Sequence, residues 1–277
     1  MKNKLKNLYR KTESVYLRFT EFPMQELEKE IPAHVKNEDI LIPPMVYQTW
    51  ENNFFGKTHL QEIKKFRALN PDMSFKLLDK DELESYMKSF WGHHPIYEIF
   101  QKAKYGPMKV DIFRYCILFE RGGFYFDINK GLSVPISSLV NHKNDGLVAF
   151  EQNDCYLPPE DCDISKILFP TKYVVQWGFG FTKGHPILGN MINAICANYE
   201  NFKPLVFPSP KIGILAFTAT GRFTKVVRSQ IGSNPKINVV QAGIDFNGSG
   251  IYVMPGSRAR YLVKRAYTDY SNDGLFE

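Results

Sequence analysis

Two stretches carry residues whose type and spacing point to chemistry. In "GPMKVDIFRYCILFERGG" (106–123), Asp111 and Arg114 stand three residues apart in an otherwise apolar run. That spacing puts both side chains on one helix face. A carboxylate and a guanidinium there have two readings. They neutralise each other in the interior, or they grip sugar hydroxyls, which accept from Arg and donate to Asp. A little further on, "GGFYFDINKG" (122–131) ends an aromatic run on Asp127-Ile128-Asn129. Strand alternation puts Phe124, Phe126 and Ile128 on one face and Tyr125, Asp127 and Asn129 on the other. Oxygens at matched height suit Mg²⁺ or Mn²⁺, or ribose hydroxyls. The competing reading is an Asx turn that closes the strand.

The elements that must position these residues follow from periodicity. "ILIPPMVYQTW" (40–50) reads as a buried strand entered through a proline pair. "THLQEIKKFRALNPD" (58–72) reads as a helix stopped at Asn70-Pro71, "SFKLLD" (74–79) as a strand and "KDELESYMKSF" (80–90) as a second helix. Alternating strands and helices predict a parallel sheet covered by helices. The run at 106–123 is apolar around most of its circumference, so it predicts a largely buried helix with Pro107 in its first turn and Gly122-Gly123 at its end. The C-terminal edge of such a sheet is where ligands sit. Beyond residue 135, strands are expected in "DGLVAFEQ", "KYVVQW", "INVV" and "IYVMP", and helices at 186–202 and after "TATG". His93-His94 reads as a helix-end turn and His185 as a turn residue.

"KVDIFRYCILFERGGFYFDIN" resembles the DXD-containing glycosyltransferases of family 32, which include yeast-type α-mannosyltransferases and bacterial capsular-polysaccharide sugar transferases. The shared pattern is Asp-x-x-Arg, an apolar helix, Gly-Gly-x-Tyr and Asp-x-Asp. "IPPMVYQTW", "ALNPDMSFKLLD" and "WGFGFTKGHPIL" are similar to further family elements, and the good match runs over about residues 40–135. The resemblance implies an α/β fold of GT-A type, Rossmann-like, with a mostly parallel central sheet and helical, acceptor-binding insertions. It implies a basic segment at 1–39 and one domain at 40–277, with a nucleotide-sugar half (40–135) and an acceptor half (136–277). It implies transfer of a hexose from a UDP- or GDP-sugar to a glycan or lipid-linked glycan hydroxyl with retained configuration, in capsular or surface polysaccharide synthesis. Trp50 would stack near the base, unless it is a core aromatic. Tyr125 would line the substrate site, Asp111 and Arg114 would hold the donor sugar, and Asp127 would meet ribose and the metal-bridged diphosphate. Asp111, Arg114 and Asp127 form the implied catalytic set. Asp127 and Asn129 form the implied ligand pair for Mn²⁺ or Mg²⁺. Asn129 replaces the family's second acid, and metal affinity at oxygen sites depends on ligand charge. Three outcomes stay open: weak metal dependence, cationic side chains in place of the ion, or a non-catalytic member that binds sugars or partners. Arg258, Arg260, Lys264 and Arg265 are the cations considered for the diphosphate. "TATGRF" departs from the family, which more often has Pro after the Gly.

The bulk numbers agree with a folded enzyme of ordinary composition. The chain has 277 residues, 44% hydrophobic and 23% charged, which excludes disordered, collagen-like and disulfide-stapled classes. Its net charge of +6 concentrates in two places, residues 2–18 and 256–265. The first opens the possibility of peripheral contact with a lipid surface, with Leu5, Leu8, Val15 and Phe19 on the apolar side. No recognition motif accompanies the basic residues, so nucleic acid is not an expected partner. The sequence shows no apolar stretch of membrane-spanning length and no secretory leader, so a cytoplasmic protein, at most peripheral at the inner membrane face, is expected. Cys116, Cys155, Cys162 and Cys196 read as reduced thiols, with a Cys155–Cys162 disulfide as the lesser alternative.

Overall fold

A computed structural model describes residues 15–157, 161–262, 268 and 270–277. Eight strands form the central sheet: β1 (Glu30–Ile31), β2 (Met45–Thr49), β3 (Ser74–Leu78), β4 (Gly123–Phe126), β5 (Gly146–Asp154), β6 (Lys172–Val174), β7 (Gly178–Phe181) and β8 (Val239–Ile244). Their order is β8-β5-β7-β4-β2-β3-β1, with β6 on the outer part of β5. β2 pairs in parallel with β3 and β4, and β8 pairs in parallel with β5. β7 is antiparallel to both β4 and β5. So β2, β3, β4, β5 and β8 point one way, and β1, β6 and β7 oppose them. This is the α/β sheet expected, mixed in its pairing: three pairings are parallel and four antiparallel, with β7 wedged against its neighbours in the middle.

Helices cover both faces: α1 (Lys57–Ala68), α2 (Lys80–Trp91), α3 (Pro95–Lys102), α4 (Gly106–Arg121), α5 (Pro186–Phe202), α6 (Pro210–Phe217) and α7 (Thr220–Ser233). Strand alternation sorts the core. Tyr47, Tyr125, Val148 and Phe179 pack with α2 to α7, whereas Val46, Phe124, Phe126 and Leu147 pack with Leu60, Ile63 and Phe66 of α1. Cys116 is fully buried among the first group, and all four cysteines are free.

Two helices went unread in the sequence. α3 begins at His94, whose Nδ1 accepts from the Ile96 amide at 3.1 Å with Pro95 in the first turn. His93-His94 therefore opens a helix rather than merely closing one. His185 caps α5 in the same way, at 3.2 Å from the Ile187 amide. α6 starts after Ser209 with Pro210 in its first turn.

The expected boundary at residue 40 needs correction. Glu30–Ile31 pairs with Phe75 and Lys76, so the stretch before 40 supplies an edge of the main sheet. Glu21 is buried, and its carboxylate accepts from the Thr58 amide at 3.0 Å in the first turn of α1. Val15, Tyr16 and Phe19 face solvent while Leu17 is inside; residues 1–14 lie outside the described residues. Among the described residues, no helix is long and apolar enough to cross a membrane.

Candidate active site

α4 is inserted between the sheet and the helices behind it, and its buried residues include both Asp111 and Arg114. A charged pair in that layer needs partners. Arg114 Nη2 lies 3.4 Å from Asp111 and 3.2 Å from Asp127, and Nη1 donates to the Gln176 carbonyl at 2.7 Å. Its guanidinium also sits 4.3 Å from the centre of the Tyr125 ring. Asp111 accepts from Gln176 Nε2 at 3.0 Å and from Thr218 Oγ1 at 2.9 Å. Burial pushes its carboxyl up to about 6, against the opposing pull of Arg114 and Thr218. Burial also works against the charge on Arg114, but Tyr125, Asp127 and Asp111 outweigh it and hold the guanidinium above its ordinary value.

The structure shows the first reading of the Asp111–Arg114 pair, mutual neutralisation in the interior, with Asp127 as a third member. The two side chains neutralise each other, at 5% and 6% exposure, yet the same guanidinium reaches out to Asp127, whose side chain is 30% exposed. The buried pair is the root of a chain of charge that surfaces at Asp127.

The loop after β4 differs from the strand expectation. The ladder ends at Phe126, and Asp127-Ile128-Asn129-Lys130 closes a tight turn in which the Lys130 amide donates to the Asp127 carbonyl at 2.9 Å. Asn129 therefore does not share a strand face with Asp127. It is 9% exposed, and its carbonyl accepts from the Met254 amide at 2.9 Å. The turn is clamped on its far side, where Gly131–Leu132 pairs with Gly250–Ile251. Trp50 stands one residue past the end of β2, the neighbour of β4. It is half-buried against the α1-side core, 6.5 Å from the Phe55 ring. The structure brings Asp111, Arg114, Tyr125 and Asp127 into one network. Trp50 and Asn129 lie at the same edge of the sheet.

Several neighbours were not anticipated. Gln176 and Trp177 hold the site with their backbone carbonyls, Gln176 for Arg114 and Trp177 for the Asp127 amide at 2.8 Å. Across the edge, Asp245, Phe246 and Asn247 have φ of 47°, 56° and 56°, a left-handed run that continues into Gly248. Such backbone costs on the order of 1–2 kcal/mol per non-glycine residue, least for Asp and Asn, and it gathers at functional sites. Phe246 is the costly member. It is held by burial against Trp177 and Phe126, at ring distances of 5.3 and 6.2 Å. "DFNGSG" carried a signal for this turn in its Asp, Asn and Gly content. Gln176 and Thr218 carried none, because their partners lie far away in sequence. Lys130 Nζ donates to the Tyr252 carbonyl and lies 3.6 Å from the centre of the Tyr252 ring. Burial pushes the Glu151 carboxyl up, with Asp245 adding to the shift and Lys130 opposing it. Of the basic stretch considered for the diphosphate, Arg258 is exposed. The Arg260 side chain, Lys264 and Arg265 lie outside the described residues.

The residues fit a DXD-type metal ion poorly. The motif supplies one carboxylate, already paired with Arg114, and a carboxamide. Among the described residues, no group of three or more His, Cys, Asp or Glu is placed to hold a metal ion.

Comparison with known proteins bears on the same segment. Residues 56–145 match the family model described as "Glycosyltransferase sugar-binding region containing DXD motif". The initiation-specific alpha-1,6-mannosyltransferase of Schizosaccharomyces pombe is 25% identical over 180 residues, 62% of this chain and 43% of that protein. Its Candida albicans counterpart is 27% identical over 188 residues, 62% of this chain and 46% of that protein. Inositol phosphoceramide mannosyltransferase 1 of Schizosaccharomyces pombe is 25% identical over 174 residues, 61% of this chain and 48% of that protein. The chain spans less than half the length of these relatives. A solved structure, "PaToxG Glycosyltransferase", superposes with a TM-score of 0.48 at 11% identity, covering 81% of this chain and 76% of that one.

Proposed function

Because residues 56–145 carry the sugar-binding region of the DXD-containing glycosyltransferases, we propose that this chain transfers a hexose from a UDP- or GDP-sugar to a hydroxyl of a glycan or lipid-linked glycan. The names of the relatives make mannose the first sugar to test. The observation that carries the reading is the buried Asp111–Arg114 pair tied to a partly exposed Asp127 at the C-terminal edge of the sheet.

In this reaction the bond between the anomeric carbon and the diphosphate oxygen breaks, and its electron pair leaves with the diphosphate. The acceptor oxygen forms the new bond and gives up its proton. Attack from the side of the leaving group retains configuration, and the departing diphosphate takes the proton. The site's task is electrostatic: fixed polar groups must favour charge as it develops. Asp127 is the accessible acceptor for ribose or sugar hydroxyls. Arg114, held by Asp111, Gln176 and Tyr125, fixes that carboxylate beside the donor. Asp111 and Arg114 act mainly through Asp127, because little of either reaches the surface.

The test is a donor screen with the full chain, reading free UDP or GDP released from UDP- and GDP-hexoses. Release above the protein-free rate for one nucleotide class is expected. Nucleotide binding without release would favour the non-catalytic reading, for which Asn129 at the second acid position speaks. Neither binding nor release would overturn the assignment.

A further inference from the structure

The DXD turn carries its own cation. Asp127 and Lys130 are the first and last residues of one tight turn, closed by a 2.9 Å hydrogen bond, so their Cα atoms lie within about 7 Å. The Lys130 ammonium is held in place. Its Nζ donates to the Tyr252 carbonyl, and it faces the Tyr252 ring at 3.6 Å and the Trp177 ring at 6.0 Å. Those partners are held in turn. Met254, two residues beyond Tyr252, donates to the Asn129 carbonyl, and the Trp177 carbonyl accepts from Asp127. A flexible surface lysine pays side-chain entropy to meet an anion. One gripped this way has spent it in advance.

The ligand set argues the same way. A divalent ion at this turn would rest on one carboxylate that Arg114 already neutralises and on an uncharged amide. Among the described residues, no cluster of metal-ligating side chains makes up the deficit. A compact ammonium with three donors is suited to phosphate oxygens as a point charge.

We propose that Lys130, from within the Asp127–Lys130 turn, supplies the positive charge that binds the donor's diphosphate, and that donor binding by this chain does not require a divalent metal. This rests on the glycosyl-transfer reading and adds to it the cation that meets the leaving group. It also moves that role away from the basic stretch near the C-terminus.

Equilibrium binding of UDP, GDP and their parent nucleosides to the full chain tests it, in EDTA and in Mn²⁺, for wild type, Lys130→Met and Lys130→Arg. Wild type should bind its preferred diphosphate in EDTA within about threefold of its affinity in Mn²⁺. Lys130→Met, which keeps the apolar stem, should weaken diphosphate binding by about tenfold or more and leave nucleoside binding unchanged, since a charge-assisted hydrogen bond is lost. Lys130→Arg should recover most of the loss. Wild-type binding that vanishes in EDTA and returns with Mn²⁺ overturns the proposal, as does a Lys130→Met variant that binds like wild type. Because the chelator comparison uses the unaltered chain, a misfolded variant does not shield the claim. If wild type binds no nucleoside diphosphate in either condition, the glycosyl-transfer reading has failed as well.

Discussion

The two ends of the central sheet differ in what they bury. At the C-terminal edge, burial falls on charge, at Asp111 and Arg114, and on Phe246, the buried member of the left-handed run at Asp245–Gly248. At the opposite edge lie histidine helix caps, with His185 buried and His94 half-buried. His94 and His185 each close the first turn of a helix, and His185 Nε2 lies 3.4 Å from Asp145. Two hollows lie away from the charged network. One of about 520 Å³ is lined by Phe90, Trp91, His93, Phe119, Glu120 and Lys183, and one of about 400 Å³ lies across Phe90 from it, beside Arg121. The first hollow is lined mainly by aromatic side chains and the second by charged and polar ones beside Tyr86 and Phe90, and the lining of neither includes Asp111, Arg114 or Asp127. Groups held in costly states gather at functional sites, which makes the charged edge the candidate.

Three measurements break or sharpen this contrast. The largest effect belongs to Asp127→Asn, which keeps the shape and removes the exposed charge. Donor turnover should fall by roughly 10²–10³-fold with little change in melting temperature, and retention of full turnover would remove Asp127 from the site. Next is the pH dependence of stability through Asp111. Its folded pKa, about 6, is raised above the ordinary 3.8. The folded state then holds the proton more tightly, so this group's contribution is fully present below the lower value and is lost as pH rises through the upper one. Asp111→Asn should gain stability relative to wild type between about pH 4 and 6, by an amount on the order of 2–3 kcal/mol, read from paired denaturant titrations. A difference that is flat with pH would show that Asp111 is ionised throughout. The smallest effect is expected at the far end: Phe90→Ala, between the two hollows, should leave donor turnover within about twofold, as an exposed side chain away from the charge network should. A large loss there would bring the hollows back into the functional account.

Much of this arrangement was legible because it is local. The helical apolar run at 106–121 carries its own burial signal, and Gly122 and Gly123, at φ 71° and 111°, show why the double glycine is there. At Gly123 an added Cβ would meet the Met45 carbonyl at 2.6 Å, so the tight entry to β4 needs a residue without one. The three-residue spacing of Asp111 and Arg114 was also readable, but their fate was not. Pairing and reaching outward turned out to be the same interaction, and that depends on Gln176 and Thr218. The turn at Asp127–Lys130 was one of two readings of an ambiguous string, since alternation continues in sequence after the ladder has stopped in space. α3 was missed because a histidine pair before proline reads as punctuation after one helix and not as the start of another, and α6, opening after Ser209, was not anticipated.

The placement of β7 has a consequence for how the molecule can be divided. It runs against its neighbours, so its beginning rather than its end lies beside Asp127, and Gln176 and Trp177 arrive there from the later half of the chain. Residues 40–135 are therefore no separable module: cut away from the rest, they would keep Asp127 and Arg114 and lose the two carbonyls that hold them. Any shuffling of donor and acceptor halves between relatives would have to carry this strand along with the first half.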